Sequence, residues 1–86
     1  MKLDPRQQEM IAIGVSFALN CHSCLDYHKQ AGFKAGLSEE EMQAALAVAE
    51  SVREGAYNKT QEYAKELFGD FVEGAGCCPA GSACCG

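Results

Sequence analysis

Two thiols and two imidazoles fall within eight residues, Cys21-His22-Ser23-Cys24-Leu25-Asp26-Tyr27-His28. Cys24 and His28 are four residues apart and Cys21 and His28 seven, so an α-helix would set all three on one face. Two intervening residues in a helical turn bring Cys21 and Cys24 within reach of a disulfide bond. A helix start favours the thiolate, because its unpaired N–H groups and dipole stabilise negative charge. A neighbouring imidazole can then take or return a proton. An ionised thiol, a second thiol within reach and a proton carrier are what thiol–disulfide exchange requires. The same thiolate can open a peroxide O–O bond to give a sulfenic acid, which the partner thiol condenses into a disulfide.

Two other readings use the same residues. Cys21 and Cys24 could be small buried thiols beside a core histidine. Alternatively, Cys21, Cys24 and His28, with Glu9, could ligate a metal. The paired knuckle and return spacing of zinc sites is missing, which favours redox chemistry.

Such an octet needs a frame, and the flanking sequence reads as helical throughout. Asp4 is a good N-cap, Pro5 suits the first helical position, and Gln7 stands where a capping box needs it. A first helix is expected from about Pro5 to Leu19, apolar around most of its circumference, so buried between neighbours or at a subunit contact. Glu9 is the one acid inside it. It would lie either at the solvent edge or buried beside the cysteine pair, where it could join proton transfer.

Asn20 is the expected cap of a second helix over about Cys21 to Ala35, with Leu25, His28, Ala31, Gly32 and Ala35 on one face. Gly36 is a natural left-handed stop, and Leu37 can fold back on the helix. Ser38 and Glu41 make the next capping box. Apolar positions then keep helical phase across Gly55 to Phe71; one long helix is possible, and the favoured expectation is two helical segments in near-continuation with a break near Gly55 to Asn58. The fold class is therefore all-α, a small domain of three to four helices over residues 1–73.

From residue 74 the chain loses periodicity and becomes rich in Gly and Cys. Residues 74–86 read as a flexible tail carrying Cys77-Cys78 and Cys84-Cys85. Four clustered thiols suit a soft metal or metalloid, so Cys77, Cys78, Cys84 and Cys85 are the metal candidates. The rival readings of the tail are an electron shuttle that reduces the Cys21–Cys24 disulfide, and an inert appendage.

Eighty-six residues make one domain at most, with a modest core, and oligomerisation is the obvious way to bury more apolar surface. Seven Lys and Arg against twelve Asp and Glu give a net charge of −5, which argues against nucleic acid or an anionic membrane as partner. No stretch reaches the ~20 apolar residues of a membrane span. The run from Met10 to Leu19 makes a poor signal peptide, with Asp4 and Glu9 ahead of it and no small residue at the cut. The chain is read as cytoplasmic, where cysteines serve redox or metal chemistry rather than a disulfide scaffold.

Glu9, eleven residues, Cys21-x-x-Cys24-x-x-x-His28, a helix ending at Gly36, and Ser38 with Glu41 opening the next helix together resemble the alkylhydroperoxidase D / carboxymuconolactone decarboxylase superfamily. The resemblance covers roughly residues 5 to 55. It implies an all-helical homo-oligomer with its site near a subunit contact, and no required cofactor. It also implies that Cys24 is the peroxidatic thiolate, Cys21 its resolving partner, and Glu9 with His28 a proton relay. Position alone would favour Cys21 as the more exposed nucleophile. The family, and the four-residue spacing to His28, favour Cys24.

One position differs from the peroxidase branch, which carries a histidine directly before the second cysteine where this chain has Ser23. The decarboxylase branch lacks the cysteine pair, so lactone decarboxylation is not expected. The sequence thus reads as a thiol-dependent oxidoreductase of alkylhydroperoxidase type, with a hydroperoxide substrate and a protein or small dithiol reductant. The alternative is a soft-metal or metalloid binder acting through the tail.

Overall fold

Three helices make up most of residues 1–71, the part of the chain that the computed structural model describes. The cysteine-rich segment 74–86 and the metal candidates in it lie outside the described residues. The helices are α1 (Pro5–Ala18), α2 (His22–Lys34) and α3 (Glu39–Phe68), and no strand occurs among the described residues.

Each boundary has a local cause. Asp4 accepts from the Gln7 N–H at 2.9 Å, and the Gln7 side chain accepts from the Asp4 N–H at 3.1 Å, closing the expected capping box. Ser38 and Glu41 do the same at the start of α3, at 3.1 and 2.9 Å. Glu41 also pairs with Arg6, so one carboxylate serves both the α3 cap and a link to α1. The Ser38 N–H bond, aided by the Arg6 charge against some desolvation, holds the Glu41 carboxyl below its ordinary 4.5.

Both tight turns end a helix in the same way. Asn20 (φ 57°) and Gly36 (φ 94°) take the left-handed conformation. After α1, the Asn20 N–H bonds Phe17 O and the Cys21 N–H bonds Ser16 O; after α2, the Gly36 N–H bonds Phe33 O and the Leu37 N–H bonds Gly32 O. These paired bonds are the Schellman arrangement, and they satisfy carbonyls that a helix end leaves free. Leu37 follows the second turn and is 3 % exposed, packed with Ile13 and Met42 in the core.

Two expectations are corrected. Asn20 does not cap α2. It is committed to a positive φ that closes α1, whereas an N-cap needs extended backbone, so the role passes to Cys21 (φ −95°, ψ 97°). Nor does a break interrupt α3 near Gly55, which stays helical in one run of 30 residues. A glycine inside a helix costs only ~1 kcal/mol, and helix formers such as Glu54, Ala56, Gln61 and Glu62 surround this one.

α1 packs against both other helices, whereas α2 and α3 touch sparsely. The core is small: Ile13, Leu37 and Met42, with Met10, Ala45 and Leu46 against it. At ~1.5 Å per residue α3 is about twice as long as α1, so α1 can cover only part of it. Residues 50–60 are accordingly all exposed. Ile11, Val15, Val48 and Val52 are each more than half exposed. They line, with Met10, Gly14, Ala18, Ala45 and Ala49, an apolar groove of about 390 Å³ between α1 and α3. No helix among the described residues is long and apolar enough to cross a membrane.

Candidate functional site

Cys21 is the residue on which the local backbone turns. Its carbonyl accepts the Leu25 N–H at 3.0 Å, the first bond of α2, and its Sγ accepts the Cys24 N–H at 3.3 Å. A sulfur thus sits where Ser or Asp oxygens usually cap a helix. The turn that ends α1 supplies this placement, because the Cys21 N–H is held by Ser16 O at 3.0 Å. Arg53 of α3 adds a donor to that turn. Its Nη1 reaches Phe17 O at 3.2 Å while the guanidinium lies 5.0 Å over the Phe17 ring. Nothing in the helical periodicity of α3 pointed to this role.

Cys21 and Cys24 are joined as a disulfide with 5.2 Å between their Cα atoms, and both are half-buried. Ser23 places its Oγ 3.8 Å from Cys21 Sγ. His28, one turn beyond Cys24, bonds through Nδ1 to Glu9 Oε1 of α1 at 2.8 Å. The two side chains are 26 % and 21 % exposed, so Glu9 lies neither at the open solvent edge nor fully buried. The carboxylate orients the imidazole by its Nδ1. The Tyr27 ring stands edge-on to His28 with centroids 5.0 Å apart, and is otherwise exposed.

Of the four catalytic candidates, Glu9 and His28 are joined across the seam of α1 and α2, and Cys21 and Cys24 are joined at the start of α2, one turn before His28. Glu9 is the member that sequence adjacency could not supply, nineteen residues before its partner. Among the described residues, no group of three or more His, Cys, Asp or Glu side chains is placed to hold a metal ion. In this disulfide-bonded form the sulfurs bond each other and the imidazole turns to the carboxylate, so Cys21, Cys24, His28 and Glu9 do not make such a group.

A cleft of about 480 Å³ is lined by residues of all three helices. It is apolar along Ile13, Phe17, Leu25, Met42 and Leu46, and includes none of the four site residues.

Against known proteins, residues 1–66 match the carboxymuconolactone decarboxylase family. No curated protein and no solved structure gives a match.

Proposed function

The chain belongs to the carboxymuconolactone decarboxylase family, and from that premise we propose that it is a thiol-dependent oxidoreductase that reduces organic hydroperoxides. The observation that carries the reading is the Cys21–Cys24 disulfide one helical turn before the histidine that Glu9 holds. In the reduced protein Cys24 passes its proton to His28 and attacks the terminal oxygen of the hydroperoxide as the thiolate. The O–O bond breaks, Cys24 becomes a sulfenic acid, and the alkoxide takes a proton from His28 to leave as an alcohol. Cys21 then attacks Cys24 Sγ, and hydroxide leaves and is protonated to water as the disulfide forms. Glu9 holds the imidazole and stabilises its protonated form during these transfers. A protein or small dithiol returns the pair to the reduced state. No cofactor takes part, and the cytoplasm, whose reductants regenerate thiols, is the compartment that suits the cycle.

The test is consumption of cumene hydroperoxide with dithiothreitol as reductant. Cys24→Ser is expected to lower the rate to background. A wild-type rate in that variant would rule the mechanism out.

A homo-oligomer suits the exposed apolar residues of α1 and α3. Sedimentation equilibrium should find more than one copy, and a strictly monomeric protein at micromolar concentration would contradict this. The alternative function, soft-metal or metalloid binding, rests on Cys77, Cys78, Cys84 and Cys85 in the sequence. Elemental analysis of reductively purified protein distinguishes the two. Stoichiometric metal lost on deleting residues 77–86 would favour binding over redox work.

A further inference from the structure

We propose that Ser23 is a further catalytic residue of the pair: its hydroxyl donates to Cys21 Sγ, making Cys21 the thiolate that departs when a dithiol opens the disulfide. The proposal rests on the thiol redox reading above and assigns the direction of its reductive half. In the disulfide neither sulfur carries a proton, so in the 3.8 Å contact the Ser23 hydroxyl is the donor. The Cys24 N–H donates to the same sulfur at 3.3 Å. Among the described residues, the hydrogen bonds to the pair's sulfurs both end on Cys21.

That asymmetry has a backbone origin. Cys21 is the N-cap of α2, so its Sγ lies over the first turn, where N–H groups are unpaired and the helix dipole is positive. Ser23, two residues on, is in the same turn and can direct its hydroxyl to the cap sulfur. Cys24 is inside the helix, one turn before His28. Both donors bind a thiolate more strongly than a disulfide sulfur, because the bonds become charge-assisted. Disulfide exchange runs faster when the departing thiol is the better-stabilised anion.

The step follows. A reductant thiolate attacks Cys24 Sγ, the Cys21–Cys24 bond breaks, and its electron pair stays on Cys21, held by Ser23 and the Cys24 N–H. The product is a mixed disulfide between reductant and Cys24. The second thiolate of the dithiol attacks the reductant's own sulfur. Cys24 then leaves and takes a proton from His28, and the dithiol ends as a disulfide, two electrons having passed to the protein. Of the two protons the dithiol gives up, one reaches Cys24 through His28 and one goes to solvent. The order is opposite to that of an exposed Cys21 receiving the reductant.

The experiment treats the oxidised full-length protein with 2-mercaptoethanol at neutral pH and quenches it with acid. N-ethylmaleimide then blocks the freed thiol, and fragment mass spectrometry reads each cysteine. The mercaptan is expected on Cys24 and the maleimide on Cys21, in about tenfold excess over the reverse pattern. Ser23→Ala should lower that ratio about threefold to tenfold, the range of one hydrogen bond, and Ser23→Thr, which keeps the hydroxyl, should restore it. An adduct mainly on Cys21, or a ratio unmoved by Ser23→Ala, would overturn the proposal. The measurement uses no hydroperoxide, so its outcome is independent of the peroxide assay.

Discussion

Replacing Gly32 and Gly55 by alanine, one at a time, separates core packing from helix preference. Both glycines lie inside helices, so each substitution gains ~1 kcal/mol of intrinsic helical preference. A Cβ at Gly55 meets nothing within 4 Å, so Gly55→Ala should keep the whole gain. A Cβ at Gly32 would lie 2.9 Å from Met42 Sδ, 3.4 Å from Leu37 Cδ1 and 3.5 Å from Ile13 Cδ1. Those three side chains are the buried core, so there is little room for them to retreat. Met42 is flexible and can swing part of the way, which sets the cost within the ~1–3 kcal/mol typical of overpacking. Against the ~1 kcal/mol gain, Gly32→Ala should be neutral to about 2 kcal/mol destabilising. The two variants should then differ by about 1–3 kcal/mol, with Gly55→Ala the more stable. For a domain of this size each kcal/mol moves the melting midpoint by ~4–8 °C. Thermal and urea unfolding followed by circular dichroism, at one fixed protein concentration, reads the difference. If Gly32→Ala melted as high as Gly55→Ala, the close seating of α2 on Ile13, Leu37 and Met42 would be wrong.

Glu9→Gln keeps the size of the side chain and an oxygen for His28 Nδ1, and removes the charge that steadies the imidazolium. General acid–base groups contribute ~10²–10⁴-fold, and Glu9 acts through His28, so kcat/KM for hydroperoxide should fall about tenfold. Stability should change by less than ~1 kcal/mol, because the pair is partly solvated; an unchanged rate would remove Glu9 from the relay. Glu41 makes a pH prediction. Its folded carboxyl titrates below 4.5, so it stabilises the fold above that pH and the contribution is lost as acid protonates it. Acid titrations of unfolding midpoint should be shallower below pH 4.5 in Glu41→Gln, and identical slopes would count against the Ser38–Glu41–Arg6 link.

Much of this was legible before any coordinates, because the signals were local. The capping boxes at Asp4–Gln7 and Ser38–Glu41 need only three-residue spacing and the right side chains, and both formed. Gly36 followed by an apolar Leu37 is likewise a local signature of a helix end, and Leu37 is buried as that signature requires. Asn20 was harder. Asparagine serves both as an N-cap and as a left-handed stop, and which one wins depends on where α1 runs out of partners. Gly55 posed the opposite problem, since a modest local penalty reads as a break until the surrounding helix is seen to absorb it.

The cysteine motif, its histidine and the helical frame follow from the sequence alone, because thiol reactivity and helix periodicity depend on residue type and short spacing. Three things were decided only by tertiary structure. Packing of α1 on α2 brought Glu9 to 2.8 Å from His28, a distance no spacing rule contains. The reach of Arg53 to Phe17 O depends on how α3 lies along α1. The sharing of the caps also came from the fold: once Asn20 closed α1, Cys21 had to open α2, which put its sulfur, rather than that of Cys24, over the free N–H groups. The chain wrote the chemistry into an octet, and the folding of two helix ends around one turn gave its two thiols different surroundings.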